Sequence, residues 1–247
     1  MPATPSLSLF GFGAFGQLLA RHLAPAFPLT ICDPCPKAQQ QARDLGLRCV
    51  SPQEAARADI LILALPLSRI GPLLEQIAPH LHPGQMVLDV CSVKEEPVRL
   101  MQALLPEGVE ILGTHPMFGP ASAATGLQGA QVVLCPVRGR GWRRLGAYLR
   151  ARHGLKVLRA TAEEHDTEAA LSQGLTHLLG HVLADIGPAP RIRTRSFEMM
   201  MAALEMVAGD APEVYEAVTR ANRHVAPLRA RLVAALNAEG AAGEGGR

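Results

Sequence analysis

Two short segments of this chain hold side chains that could move a proton beside a bound ligand. Asp89-Val90-Cys91-Ser92-Val93-Lys94 follows an apolar run at Met86–Val90. Gly113-Thr114-His115-Pro116-Met117-Phe118-Gly119-Pro120 follows a second run at Glu110–Leu112. A neutral histidine titrating near physiological pH suits removal of a hydroxyl proton. Two prolines and two glycines flank His115, which predicts an irregular loop whose backbone can approach a substrate. Ligands of open α/β sheets bind beyond the carboxyl ends of strands, so both segments are expected at such an edge.

A third segment supplies the ligand. Gly11-Phe12-Gly13-Ala14-Phe15-Gly16 lies between a predicted strand, Leu7–Phe10, and a predicted helix, Ala14–Leu23. Asp33 ends the next strand, 22 positions after Gly11, close to the spacing of about 20 in dinucleotide-binding βαβ units. Gly11 permits the tight turn, Gly13 lets backbone reach a pyrophosphate, and Gly16 lets helix and strand pack closely. Phe12, Ala14 and Phe15 belong to the same turn, whose free N–H groups face the anion at the helix start. Leu65, Pro66 and Ser92, at later strand ends, complete the expected cofactor-binding set. Asp33 would accept from ribose hydroxyls and repel a 2′-phosphate, and Lys37 is the nearby cation. NAD is therefore favoured, with NADP the alternative.

The elements that must position these residues are predicted from apolar periodicity. Strands are expected at Leu7–Phe10, Pro28–Cys32, Asp59–Leu65, Met86–Val90, Glu110–Leu112, Gln131–Val137 and Lys156–Leu158. Helices are expected at Ala14–Leu23, Lys37–Leu45, Ile70–Ile77 and Arg143–Arg152. Beyond Thr161 the spacing turns helical, with breaks at Gly187–Pro190 and Asp210–Pro212 and a glycine-rich tail, Gly240–Arg247, read as frayed. The fold class is α/β: an N-terminal Rossmann-type parallel-sheet domain over residues 1–160 and a C-terminal all-helical domain over residues 161–247.

Bulk properties narrow the classes. The 247 residues, 48% hydrophobic and 19% charged, suit a globular enzyme. A formal net charge of +2 argues against a nucleic-acid partner. No apolar run approaches the ~20 residues of a spanning helix, and no signal peptide is visible, so a cytoplasmic location is expected. The five cysteines are scattered and odd in number, as in a reducing compartment. Cys32-Asp33-Pro34-Cys35 lacks the second pair that a zinc site needs. His177 and His181 stand four apart on one helix face, but the segment is not H-E-x-x-H, so no metal is expected.

GTHPMFGP, the DVCSVK segment, and Glu164-His165-Asp166 running through Ser172-Gln173 to Thr176-His177 resemble the prephenate/arogenate dehydrogenase family of tyrosine biosynthesis, the plant-type arogenate branch especially. That resemblance implies oxidative decarboxylation of a cyclohexadienyl ring, with hydride transfer to a nicotinamide cofactor. It makes His115 the catalytic histidine on the ring hydroxyl and Ser92 the serine that orients it. It makes His177 a substrate-side histidine, with Gln173 and Thr176 beside it; His165 and Asp166 keep a structural reading.

Many prephenate-type members carry an arginine five positions before an aspartate; counting back from Asp210 gives Glu205, so that clamp is missing. Glu205 and Asp210 tilt the reading toward the ammonium-bearing arogenate, and Arg195 is the candidate carboxylate partner. A homodimer through the helical domain is expected. The alternatives are another Rossmann-plus-helical oxidoreductase acting on a hydroxy acid or imine, and a non-catalytic NAD-sensing protein.

Overall fold

Alternation along the strands decides how the first unit is built. In a computed structural model, which describes residues 4–186 and 190–244, the chain divides into two compact units, Met1–Glu163 and Glu164–Arg247. The first unit runs β1 (Leu7–Phe10), α1 (Ala14–Leu23), β2 (Leu29–Cys32), α2 (Pro36–Asp44), β3 (Arg48–Cys49), α3 (Pro52–Ala55), β4 (Ile60–Leu63) and α4 (Leu67–Ile77). It continues through β5 (Met86–Asp89), α5 (Glu95–Leu104), β6 (Glu110–Pro116), β7 (Gln131–Arg138), α6 (Trp142–His153) and β8 (Lys156–Arg159).

The strands form one sheet in the order β3-β2-β1-β4-β5-β6-β7-β8. Side chains alternate across it, as period two requires. Leu7, Leu9, Ile62, Leu88, Leu112 and Leu134 enter a core shared with α1 and α2. Phe10, Leu61, Leu63, Val87 and Ile111 enter the opposite core with α4 and α5, through Ile70, Leu74, Ile77, Val98 and Met101. Apolar burial on both faces explains the unbroken ILIL of β4.

Two expectations need correction here. The sheet is not wholly parallel, because β7 runs antiparallel to β6. In addition, β6 extends to Pro116, so His115 sits on a strand opposite Val133 and not in a loop. β7 supplies the backbone partners that hold residues 111–116 extended, and flanking glycine and proline do not override that ladder. The short β3 and helix α5 add elements that periodicity did not mark.

The second unit consists of helices. α7 (Ala162–Ala169), whose first turn straddles the unit boundary, passes through a π-helical turn, Ala170–Gly174, into α8 (Leu175–Ile186). Then follow α9 (Arg195–Ala208), α10 (Pro212–Glu216), a second π-helical turn, Ala217–Ala221, and α11 (Val225–Glu244). Thr194 caps α9, its hydroxyl accepting from the Phe197 N–H at 3.2 Å. Gly174 in the first π turn packs under Val225 of α11 and near the Val218 carbonyl of the second, a place where a Cβ would not fit. Within this unit the His165 Nδ1 and Asp166 Oδ1 lie 2.7 Å apart, both buried, and Asn222 Nδ2 donates to the Asp166 carbonyl at 2.7 Å. Helix α11 runs on through Gly240 to Glu244, where the sequence suggests a frayed tail. Of the expected break at Gly187–Pro190, residues 187–189 lie outside the described residues.

Candidate functional site

The glycine turn between β1 and α1 is shaped by its neighbours. Gly11 has φ +96°, and a Cβ there would collide with the Ala64 carbonyl; one at Gly16 would collide with the Gly11 carbonyl. Gly13 differs: it is exposed, and a Cβ there would meet no protein atom within 4 Å. The open space lies at the N-terminus of a ten-residue helix, where Ala14 and Phe15 carry N–H groups with no intrahelical acceptor. Backbone donors, a positive dipole end and open space are what a diphosphate requires.

Asp33, at the end of β2, is tied into this turn. Its Oδ2 accepts from the Phe12 N–H at 2.7 Å and its Oδ1 from the Cys35 N–H at 2.8 Å. A carboxylate retains lone pairs for further donors, so the brace does not preclude hydroxyl binding. Asp33 lines two cavities. One, of about 340 Å³, adjoins Phe12, Gly13, Gln17 and Lys37. The other, of about 880 Å³, is bounded by Phe10, Leu65, Leu73 and the cations Arg43 and Arg69. Pro66 is exposed and caps α4 without lining either. The residues present fit a dinucleotide: apolar walls and hydroxyl acceptors beside Asp33, phosphate donors at α1. Beside the same cavity, Cys32 is pushed up to about 11 by burial, with Asp33 adding to the effect, so it stays a thiol.

The Ser92 segment, after β5, and His115, on β6, stand two and three strands from β1. β5 and β6 pair in parallel with Asp89 opposite Gly113, which brings the Cys91–Lys94 segment beside Thr114 and His115. His115 is 3% exposed; Ser92 is half-buried. A buried network underlies both. Lys94, at the start of α5, forms a short ion pair with Asp89 Oδ2 and donates to the Thr114 carbonyl at 2.7 Å. Thr114 Oγ1 donates to the Asp89 carbonyl, and the Cys91 N–H donates to Asp89 Oδ2 at 2.9 Å. Complete burial pushes the Asp89 carboxyl up despite Lys94 beside it. Desolvation also raises the Cys91 thiol, with Asp89 adding to it. Phe118, just past β6, meets Phe15 of α1 with ring centroids 6.4 Å apart, joining the histidine segment to the glycine turn.

In the helical unit the π turn and α8 gather part of the expected set. His177 is buried; its Nδ1 donates to the Gln173 carbonyl at 2.9 Å, and its Nε2 lies 3.1 Å from Asp210 Oδ2. Gln173 Oε1 is buried and without a partner among the described residues. Thr176 Oγ1 donates back to the Ser172 carbonyl at 2.6 Å. Glu205 is exposed on α9. Arg195 opens α9 in the open, 83% exposed, with Glu198 3.6 Å away.

Lys94, Asp89, Thr114, Phe118, Arg43 and Arg69 were not singled out as site residues from the sequence. For Lys94 a signal existed: it is one of three lysines in the chain and ends the segment that holds Ser92. Arg43 and Arg69 gave none, since only the fold brings α2 and α4 to one cavity.

Comparison with known proteins accords with this geometry. The chain is 30% identical over 220 residues to "Arogenate dehydrogenase 1, chloroplastic" of Arabidopsis thaliana, covering 85% of this chain and 34% of that protein. It is 30% identical over 220 residues to "Arogenate dehydrogenase 2, chloroplastic" of the same plant, covering 85% and 62%. The chain thus spans less than two thirds of the length of either. Among solved structures, prephenate dehydrogenase from A. aeolicus, in complex with hydroxyphenyl propionate and NAD+, shares the fold with a TM-score of 0.75, 20% identity and coverage of 95% of this chain and 89% of that one. The profile of the prephenate dehydrogenase nucleotide-binding domain matches residues 19–158, more than half of the sequence. With the glycine turn, the Asp33 brace and the histidine strand in one sheet, the chain belongs to the prephenate dehydrogenase family.

Proposed function

We propose that this protein catalyses the oxidative decarboxylation of a cyclohexadienyl substrate, arogenate in preference to prephenate, with NAD favoured over NADP. The observation that carries the reading is the placement of a buried His115 on β6 beside the Ser92 segment that follows β5, in the same sheet as the strand that leads into a glycine turn fit for a dinucleotide. Bound cofactor supplies the two-electron acceptor for the hydrogen on ring C4. His115 holds the C4 hydroxyl and takes up its proton as that carbon flattens. Ser92 orients the imidazole. Loss of CO2 from C1 leaves its electron pair in the ring, and the proton on His115 returns to the oxygen of the new phenol. Aromatisation drives the reaction, so the protein chiefly positions groups.

Substrate binding is assigned to His177, Gln173, Thr176, Arg195, Glu205 and Asp210 of the helical unit. The acids favour the ammonium group of arogenate over the keto group of prephenate. Asp33 favours NAD through ribose hydroxyls, whereas Arg43 and Arg69 in the same cavity could meet a 2′-phosphate, which keeps NADP as the second choice. A homodimer through the helical unit is supported by its exposed Leu171, Met199, Met206 and Leu236, each more than half exposed. No helix among the described residues is long and apolar enough to cross a membrane. A cytoplasmic location without a nucleic-acid partner is the reading we adopt.

The test is steady-state turnover with all four pairings of prephenate or arogenate with NAD or NADP, on wild type and His115→Asn. Turnover that collapses in the variant supports the assignment. No turnover of either ring compound by the wild type overturns it.

A further inference from the structure

We propose that Lys94 and Asp89 are positioning residues that set Ser92 and His115 relative to each other; this rests on the proposed function. Ser92 lies in a four-residue segment, Val90–Val93, whose two flanking residues, Asp89 before and Lys94 after, are drawn together by their ion pair. The Cys91 N–H donates into the same carboxylate, so the segment is fixed at its start as well as across its ends.

The closed segment is then fastened to the strand that carries His115. Lys94 Nζ donates to the Thr114 carbonyl at 2.7 Å, and Thr114 Oγ1 donates back to the Asp89 carbonyl. The Thr114 carbonyl belongs to the peptide that leads into His115, so the ammonium bonds to the backbone one link from the imidazole. The stem of Lys94 leans on the same strand, because a Cβ on Gly113 would stand 3.3 Å from Lys94 Cδ and 3.0 Å from Val98 Cγ2. A bulkier residue at 113 would push the lysine away.

The composition of the network argues for more than packing. Asp89 and Lys94 are both 0% exposed, and Asp89 Oδ1 has no hydrogen-bond partner among the described residues. Desolvating two charges in this way is seldom a gain over an apolar pair of similar volume. What an apolar pair cannot do is aim a backbone carbonyl and close a loop in one defined geometry.

The experiment compares wild type with Asp89→Leu/Lys94→Met, which removes both charges while keeping volume, and with the conservative Asp89→Asn. Three readouts are taken: thermal midpoint, kcat and KM for the cofactor and ring substrate, and the imidazole 15N shifts of His115 at fixed pH. The proposal expects the double variant to keep its midpoint within a few degrees of wild type. It expects kcat to fall about 100-fold, the scale of a 1 Å misplacement, with cofactor KM within about threefold and displaced His115 shifts. Asp89→Asn, which still accepts from Lys94 and Cys91, should recover most of the kcat. A folded double variant with wild-type kcat and unmoved shifts would overturn the proposal, leaving the pair structural only. If the double variant does not fold, Thr114→Val, which removes the hydroxyl that bonds the Asp89 carbonyl, decides: unchanged His115 shifts there also overturn it. Wild type inactive on both ring compounds refutes the proposed function alone, since the His115 shifts still read the positioning.

Discussion

Asp210 Oδ2 stands 3.1 Å from Nε2 of His177, while Nδ1 of the same ring bonds the Gln173 carbonyl, so one buried imidazole lies between two acceptor oxygens. A backbone carbonyl cannot donate, which places a proton on Nδ1. The second contact then needs a further proton, on Nε2 or on the carboxylate. Asp210→Asn supplies a donor and lets a neutral ring keep both bonds. We expect Asp210→Ala to lower the thermal midpoint more than Asp210→Asn does. Equal losses in the two variants would count against the hydrogen bond.

Glycine substitutions in the turn separate folding from ligand binding. Gly13→Ala adds a methyl that meets no protein atom, on a backbone with φ −65°, so its thermal midpoint should match wild type while cofactor KM rises at least tenfold. Gly11→Ala forces a side chain onto φ +96° and into the Ala64 carbonyl. That costs about 1–2 kcal/mol for the backbone alone, and its midpoint should fall visibly in a calorimetric scan. A Gly13→Ala protein with unaltered cofactor KM would place the diphosphate elsewhere.

His115→Asn is expected to lower kcat roughly 100- to 10,000-fold, the usual contribution of a positioned proton acceptor. Ser92→Ala, which removes only an orienting hydroxyl, should cost less. Steady-state kinetics with the better ring substrate checks the order, and a larger loss for Ser92→Ala would reverse the roles.

Acid stability should show a contribution from Asp59. The Ser6 N–H and hydroxyl both donate to Asp59 Oδ2 at 2.7 Å and hold its carboxyl below the usual range. Protons bind this group more weakly in the folded than in the unfolded chain. Its contribution is therefore present above the ordinary carboxylate value and fades as pH falls through the lowered folded one. Asp59→Asn should lower stability near pH 7, and the gap to wild type should close as pH falls toward 3. Denaturation followed across that range would reveal a constant gap if the contact contributes nothing through charge.

The glycine turn and its bond to Asp33 were legible in the sequence because their constraints are local: glycine spacing, the strand before it and Asp33 after it lie within one βαβ unit. His115 and Ser92 were legible as chemistry but not as geometry. Whether residues 113–116 are loop or strand depends on β7, some twenty residues later, and its antiparallel run leaves no mark in the histidine segment itself. Lys94 resisted for a related reason, since a lysine at a strand end reads as solvated until burial is known. In the helical unit, His177, Gln173 and Thr176 were found as a group, yet the tie to Asp210 spans 33 residues and two helices.

The π-helical turn at Ala170–Gly174 has a consequence for which insertions and deletions this protein can tolerate. Such a turn holds one residue more than an α-helical path would need, and each residue of an α-helix advances the face by about 100°. One residue can therefore be removed from that turn while α8 keeps its face, whereas a deletion between the turn and His177 would rotate the imidazole by about 100°, off the buried flank where Asp210 meets it. Tolerance to a change of chain length is thus set by position along one continuous helical path, independently of which residues are lost.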